Sequence, residues 1–305
     1  MRVGAVDCGT NSIRLLIADR STELVDVVRE MRIVRLGQGV DQTGVLAPEA
    51  LARTREALVD YSRLCTELDV ERVRMVATSA TRDAGNSADF VTMVEQVLGV
   101  VPDVISGDEE AALSFAGATR GLTAPSPYLV LDIGGGSTEL VVGNSAVESA
   151  HSMDVGCVRL TERRLHDDPP TTSQVAAARD DINAALDLAL ARVHVAGFGT
   201  AVGLAGSVTT VAAIALRLEA YDPVQLHHSR VSRDQVRDVC TRMLAMTRDQ
   251  RAALPVMHPG RVDVIGAGAL VLDTVMERIG IDELLVSETD ILDGIAWSVP
   301  APGEA

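Results

Sequence analysis

The feature that most restricts how this chain can fold is an internal repeat. An aliphatic run, a glycine-containing turn opened by aspartate, and a second aliphatic run occur twice. In the first copy, residues 2–6 and 13–18 flank the turn Asp7 to Ser12; in the second, YLVLDI and ELVVG flank Gly134, Gly135, Gly136, Ser137 and Thr138. Each copy reads as a strand, tight turn, strand hairpin. Asp132 lies 125 positions after Asp7 in a chain of 305 residues, so the two hairpins belong to separate folding units, each able to bury its own core.

The segments between the hairpins extend this reading. A third strand is expected near 24–35 and a helix opened by Pro48, with Leu51, Leu58, Cys65 and Leu68 at helical spacing. A buried strand over 73–78 precedes a helix over 87–98, capped by Ser87 and ended by Gly99. A short strand at 104–105 leads into SGDEEA and a helix that stops near Gly121; TAPSP at 123–127 is the clearest linker. Beyond the second hairpin come a strand near 147–153, a helix over about 172–193, and a strand over 201–206 that runs into a helix. Ser232 to Gln235 and Thr247 to Gln250 form capping boxes. A helix over 260–280 interrupted by GAGAL, a strand over 283–287 and a short last helix complete the order.

Composition removes several function classes. Hydrophobic residues make up 47% and aromatic ones 2%, so the cores are aliphatic α/β packing. All 27 cationic residues are arginine, and without a phosphate-contacting lysine the chain is neither a P-loop protein nor a protein kinase. The formal charge of -16 argues against a nucleic-acid partner. No run approaches the ~20 apolar residues of a spanning helix and no leader is visible, which predicts a cytoplasmic protein without a membrane partner. Cys8, Cys65, Cys157 and Cys240 lack paired spacing, and the six histidines lack metal-binding spacing. His227 and His228 point to opposite faces if that stretch is a strand.

A glycine-rich turn between strands aims backbone N–H groups into one concavity, which is how a neutral main chain holds phosphate. The first turn offers Gly9, Thr10, Asn11 and Ser12, the second Gly134 to Thr138. Asp7 and Asp132 open the turns and Glu139 follows the second, so carboxylates stand beside the amides in a combination suited to Mg²⁺. An aspartate before glycines is also an ordinary hairpin turn. Two such turns in matching strand contexts point instead to phosphate-binding hairpins, one per domain, and to a cleft between the domains that clamps a polyphosphate.

The paired turns, with GSVTT (206–210) and GAGAL (266–270), resemble the superfamily of acetate kinase, the heat-shock chaperones and actin. More narrowly, TSATRDA (78–84), SGDEEA (106–111), DIGGGSTELVVG (132–143) and MDVGCVRLTE (153–162) resemble the exopolyphosphatase and guanosine pentaphosphate phosphohydrolase family, Ppx/GppA, over nearly the whole chain. The resemblance implies an α/β fold of two actin-like, ribonuclease H-like domains. Each would be a mixed five-stranded sheet flanked by helices, with the active site in the interdomain cleft. The expected limits are 1–124 for domain I, with the last helix (about 289–305) packing on it, and 125–288 for domain II.

The resemblance also implies roles. Glu110 is the catalytic base; read without it, Glu109 and Glu110 merely stabilise a helix start. Asp132 and Glu139, with Asp7 beside the first turn, bind or position Mg²⁺, with Mn²⁺ as an alternative. Gly134, Gly135, Gly136 and Ser137 grip phosphate, and Thr10, Asn11, Ser12 and Arg82 complete the first-domain side. Arg82 read alone is equally an ion pair with Asp83 or a neighbour. The implied activity is Mg²⁺-dependent release of terminal phosphate from inorganic polyphosphate, favouring short chains, because longer relatives continue where this sequence stops at Ala305. The alternatives are a guanosine pentaphosphate (pppGpp) 5′-phosphatase on the same residues, an acceptor-dependent kinase, and a non-catalytic sensor. A homodimer is expected, as is common among relatives. Leu292 stands where many of them carry arginine.

Overall fold

A computed structural model of the protein describes residues 1–300. The chain forms two compact units, Met1–Gly117 joined by the chain from Ile291 onward, and Ala118–Asp290. In the first unit, β1 (Arg2–Cys8), β2 (Ser12–Arg20) and β3 (Leu24–Ile33) are followed by α1 (Val40–Thr43), α2 (Pro48–Glu67), β4 (Arg72–Ala77), α3 (Ser79–Arg82), α4 (Ser87–Leu98), β5 (Asp103–Val104) and α5 (Gly107–Thr119). The five strands order as β3-β2-β1-β4-β5, antiparallel from β3 to β1 and parallel from β1 to β5.

Helices cover both faces of this sheet, which is why β1 is buried along nearly its whole length. On one face Leu58 and Tyr61 of α2 and Phe90 and Val94 of α4 pack beneath Val6, Ile13 and Leu15. On the other, Leu113 of α5 meets Ile291, Leu292 and Ile295 of the last helix over Val3, Leu16 and Val76. Pro48 opens α2 as expected. Ser87 does not cap α4: Asn86 holds the cap position, and its amide bonds both the N–H and the carbonyl of Leu46 at 2.8 and 3.1 Å.

The second unit carries β6 (Tyr128–Ile133), β7 (Thr138–Gly143), β8 (Val147–Met153), α6 (Cys157–Arg164), α7 (Thr172–Leu190), β9 (Thr200–Leu204), α8 (Ala205–Ala215), α9 (Pro223–Leu226), β10 (Arg230–Ser232), α10 (Arg233–Ala245), α11 (Arg248–Ala252) and, after a 3₁₀ turn at Pro259–Arg261, α12 (Ile265–Ile279) and β11 (Glu283–Val286). Its sheet has six strands in the order β10-β11-β9-β6-β7-β8 rather than the expected five. The added strand, β10, is three residues long and pairs antiparallel with β11, too short a signal to stand out in sequence.

GAGAL does not interrupt α12. Residues Ile265–Met276 are buried on all sides, and a Cβ on Gly268 would lie 2.5 Å from Ser207 Oγ, so the glycine admits a close neighbour instead of ending the helix. Both expected capping boxes form, and Thr171 with Gln174 adds a third at the start of α7. His227 and His228 follow α9 and lie outside any strand, with His228 at φ 63° and the two rings stacked at 3.8 Å.

The last helix, α13 (Ile291–Ser298), belongs to the first unit, tied there by Arg29, which donates from Nη2 to Asp293 Oδ1 at 2.6 Å. Of the helix expected over about 289–305, residues 301–305 lie outside the described residues. Among the described residues no helix is long and apolar enough to cross a membrane.

Candidate active site

In the first unit the turn between β1 and β2 is closed by Gly9 N–H donating to Ser12 O at 3.0 Å. Strand register sets Arg14 directly opposite Asp7, and the guanidinium donates to Asp7 Oδ2 from Nε at 3.0 Å and Nη2 at 2.7 Å. This buried carboxylate is therefore committed to an arginine on one oxygen, Oδ2. Thr10 is buried, with its hydroxyl 2.9 Å from Ser79 Oγ and its methyl against Gly37, where a Cβ would lie 2.3 Å from Thr10 Cγ2. Asn11 O accepts from Val34 N and Arg35 N at 3.1 and 2.8 Å, so the turn is braced from beneath while Asn11 and Ser12 stay half-buried.

Glu110 stands in the first turn of α5, which Ser106 caps by accepting Glu109 N–H at 3.2 Å. Asp108, Glu109 and Glu110 there complement the positive end of the helix. Arg74 takes up Asp103 at 2.9 Å and Glu109 at 2.8 Å. Glu110 itself is 8% exposed, and Arg82, from the end of α3, reaches its Oε2 with Nη1 at 3.2 Å. The ion pair envisaged for Arg82 with Asp83 is instead one with Glu110, 28 positions on.

In the second unit, Asp132 on β6 and Glu139 on β7 are directly opposed in the antiparallel register, and Glu139 is opposed on its other side by Ser152 of β8. Ser152 donates to Glu139 Oε1 at 2.7 Å. Asp132 and Glu139 are 6% and 1% exposed. Like charges directly opposed across strands repel, so two such buried carboxylates gain from a cation between them. Among the described residues no group of three or more His, Cys, Asp or Glu forms a metal cage. Two carboxylates suffice for Mg²⁺, whose remaining ligands are commonly waters and substrate phosphate oxygens.

The glycine turn joins these strands. Gly134 N–H donates to Ser137 O at 3.0 Å, the same closure and distance as in the first hairpin. Cys157 N–H donates to Gly134 O at 3.0 Å, and Val158 and Arg159 N–H donate to Gly135 O at 2.9 and 3.1 Å, so two turn carbonyls face the start of α6. In a trans peptide the N–H points opposite to the carbonyl, which turns the N–H groups of Gly135 and Gly136 away from α6. These glycines do not sit at positive φ. The glycine that close approach demands is Gly156, where a Cβ would lie 2.4 Å from Gly135 C and O.

Sequence reasoning missed several neighbours. Arg14, Ser79 and Ser152 act through cross-strand or cross-loop contacts, and only Arg14, seven positions from Asp7 in a hairpin, had a register that revealed it. Beyond β9, the parallel neighbour of β6, Ala205 opens α8 at φ 65°, a strained position for a residue with a Cβ. There Arg261 lies against Gly206, its Nη2 2.3 Å from where a Cβ would stand, and Nη1 donates to Thr210 Oγ1 at 2.9 Å. Tyr221 Oη lies 2.7 Å from both Thr209 Oγ1 and Glu288 Oε1, and burial pushes the phenol up to about 12.

A model of the Ppx/GppA phosphatase family matches residues 16–299. The chain is 55% identical to Exopolyphosphatase 2 of Mycobacterium tuberculosis over 98% of both chains. Among solved structures it is similar to an exopolyphosphatase-like protein (TM-score 0.95, 42% identity, 98% of both chains covered). It is also similar to the Ppx/GppA enzyme of Aquifex aeolicus (TM-score 0.82, 31% identity, 98% of this chain and 99% of that one). Two mixed sheets flanked by helices are the actin-like architecture shared with these structures.

Proposed function

The chain belongs to the Ppx/GppA phosphatase family, and from that premise we propose that it is an exopolyphosphatase that releases orthophosphate from the end of inorganic polyphosphate. The observation that carries this reading is the opposition of two buried carboxylates, Asp132 and Glu139, beside a turn whose glycine N–H groups face away from α6. That arrangement suits a phosphate accompanied by a divalent cation, and the extent of the relationship to Exopolyphosphatase 2 selects polyphosphate.

Phosphatases of this family are generally dependent on a divalent metal. Mg²⁺, with Mn²⁺ as the alternative, would be held by Asp132 and Glu139, where it supplies charge neutralisation at the phosphate oxygens. The amides of Gly135, Gly136 and Ser137 are the phosphate donors of the second unit, and the turn Thr10 to Ser12 and Arg82 are those of the first. The Glu110 carboxylate takes a proton from the attacking water. The new P–O bond forms as the bridging P–O bond breaks, and the products are orthophosphate and a chain one phosphate shorter. Positioned donors and fixed charges supply most of the rate.

The experiment measures orthophosphate release from short and long polyphosphate and from pppGpp, with Mg²⁺, Mn²⁺ or EDTA, for wild type and Glu110→Gln. Release that needs metal and falls on the order of 10²-fold or more in the variant is expected. Near wild-type turnover by a folded Glu110→Gln removes Glu110 as the base. Faster release from pppGpp than from any polyphosphate makes the protein a pppGpp 5′-phosphatase instead.

A further inference from the structure

We infer that Arg82 is a positioning residue for Glu110, holding its carboxylate where it accepts the proton of the attacking water; this rests on the reading of Glu110 as the base. Arg82 Nη1 carries two N–H groups and meets two acceptors, Glu110 Oε2 at 3.2 Å and the carbonyl of Ile105 at 3.0 Å. The second contact makes the first informative. A guanidinium held by Glu110 alone would follow that side chain, whereas one anchored to the backbone dictates where the carboxylate sits.

The anchor is stiff at both ends. Ile105 is 2% exposed, and its N–H donates to Ala77 O at 3.1 Å, so its carbonyl is fixed at the end of β4 and β5. Arg82 N–H donates to Thr78 O at 3.0 Å, and Ser79, Ala80 and Thr81 before it are buried. Glu110 N–H is held by Ser106 O at 2.9 Å. The pair therefore joins the segment that follows β4 to the segment that follows β5. The side chains are 26% and 11% exposed, a setting in which a cation acts on a carboxylate with little screening.

Of the other charged groups at this helix start, Glu109 is bound by Arg74, which also holds Asp103, while Asp108 lies in the same first turn. Among the described residues neither Nε nor Nη2 of Arg82 donates a hydrogen bond, so the rest of the fork is able to meet a phosphate oxygen while Nη1 holds the base. A single side chain then ties phosphate binding to the orientation of Glu110.

The test compares Arg82→Ala and Arg82→Lys with wild type in polyphosphate hydrolysis as a function of pH, with Glu110→Gln in parallel and thermal unfolding of every variant. For Arg82→Ala, kcat is expected to fall roughly 10- to 100-fold, more than KM rises. The acidic limb of kcat/KM moves to higher pH, because the carboxylate loses its cation, and added guanidinium restores part of the rate. Arg82→Lys keeps the limb near wild type yet recovers little of kcat, since an ammonium does not reproduce the fork; where Arg82→Ala does not fold, this variant carries the comparison. A raised KM with kcat and the acidic limb unchanged overturns the inference and leaves Arg82 as a phosphate contact only. An inactive Glu110→Gln beside an unmoved limb sinks the inference but not the reading it rests on, whereas an active Glu110→Gln sinks both.

Discussion

Asp132 and Glu139 face each other across the antiparallel pair β6 and β7, both buried, with Ser152 hydrogen-bonded to the second of them. The repulsion in such a pair predicts that metal binding stabilises the fold and not only the reaction. Saturating Mg²⁺ is expected to raise the unfolding temperature, by the equivalent of about 2.7 kcal/mol at a hundredfold excess over Kd. The increment should shrink in Asp132→Asn and Glu139→Gln, as read by calorimetry without substrate. Identical unfolding in Mg²⁺ and EDTA would remove these residues as a metal site.

The two turns close alike but tolerate substitution differently. A Cβ on Gly156 meets the backbone of Gly135 at 2.4 Å, whereas one on Gly9 meets only Ser12 O at 3.6 Å, an ordinary contact. Gly156→Ala should displace the Gly134 to Gly136 turn and lower kcat/KM on the order of 10²-fold, the scale of a misplaced binding group. Gly9→Ala should cost less than about 1 kcal/mol of stability. Phosphate release and denaturant titration of both variants check the contrast.

α5 and α13 touch at backbone level, where a Cβ on Gly294 would lie 2.0 Å from Leu113 O. Gly294→Ala is expected to destabilise by roughly 1–3 kcal/mol through overpacking, and because α5 carries Glu110 it should lower kcat as well. A variant with wild-type stability and rate would show that this contact yields without consequence.

Burial pushes all four thiols up, Cys65 to about 11 and Cys240 to about 12, the latter with help from Asp273. A pKa raised on folding contributes stability that is full below the unfolded value of about 9 and is lost as pH rises through the folded value. Stability to denaturant should therefore decline above about pH 9. At pH 8 a thiol reagent should label the native protein slowly and all four cysteines once unfolded; rapid labelling of the native state would contradict this burial.

Local chemistry was readable from the chain alone. The alternation of aliphatic runs around Asp7 to Ser12 and around Asp132 to Thr138 specifies two hairpins, because a strand's partner is then only a turn away. The capping boxes at Ser232 and Thr247 were equally visible, since both partners lie within one helical turn. GAGAL was misread because a glycine's effect on a helix depends on what packs around it, and Ser207 stands 61 positions from Gly268. The three-residue β10 was missed because its pairing with β11 is specified by the partner and not by its own pattern.

The same division runs through the candidate site. The repeat of aspartate, glycine turn and strand determined by itself that this protein carries two hairpins closed by alike turns, for the course of such a turn follows from a few adjacent dihedrals. Only the tertiary structure decided that Arg82 reaches Glu110 and Ile105 rather than Asp83, and that Arg261 closes over Gly206. Those choices depend on which strand ends lie side by side, and a charged side chain takes the nearest partner that its desolvation permits, whatever the separation along the chain.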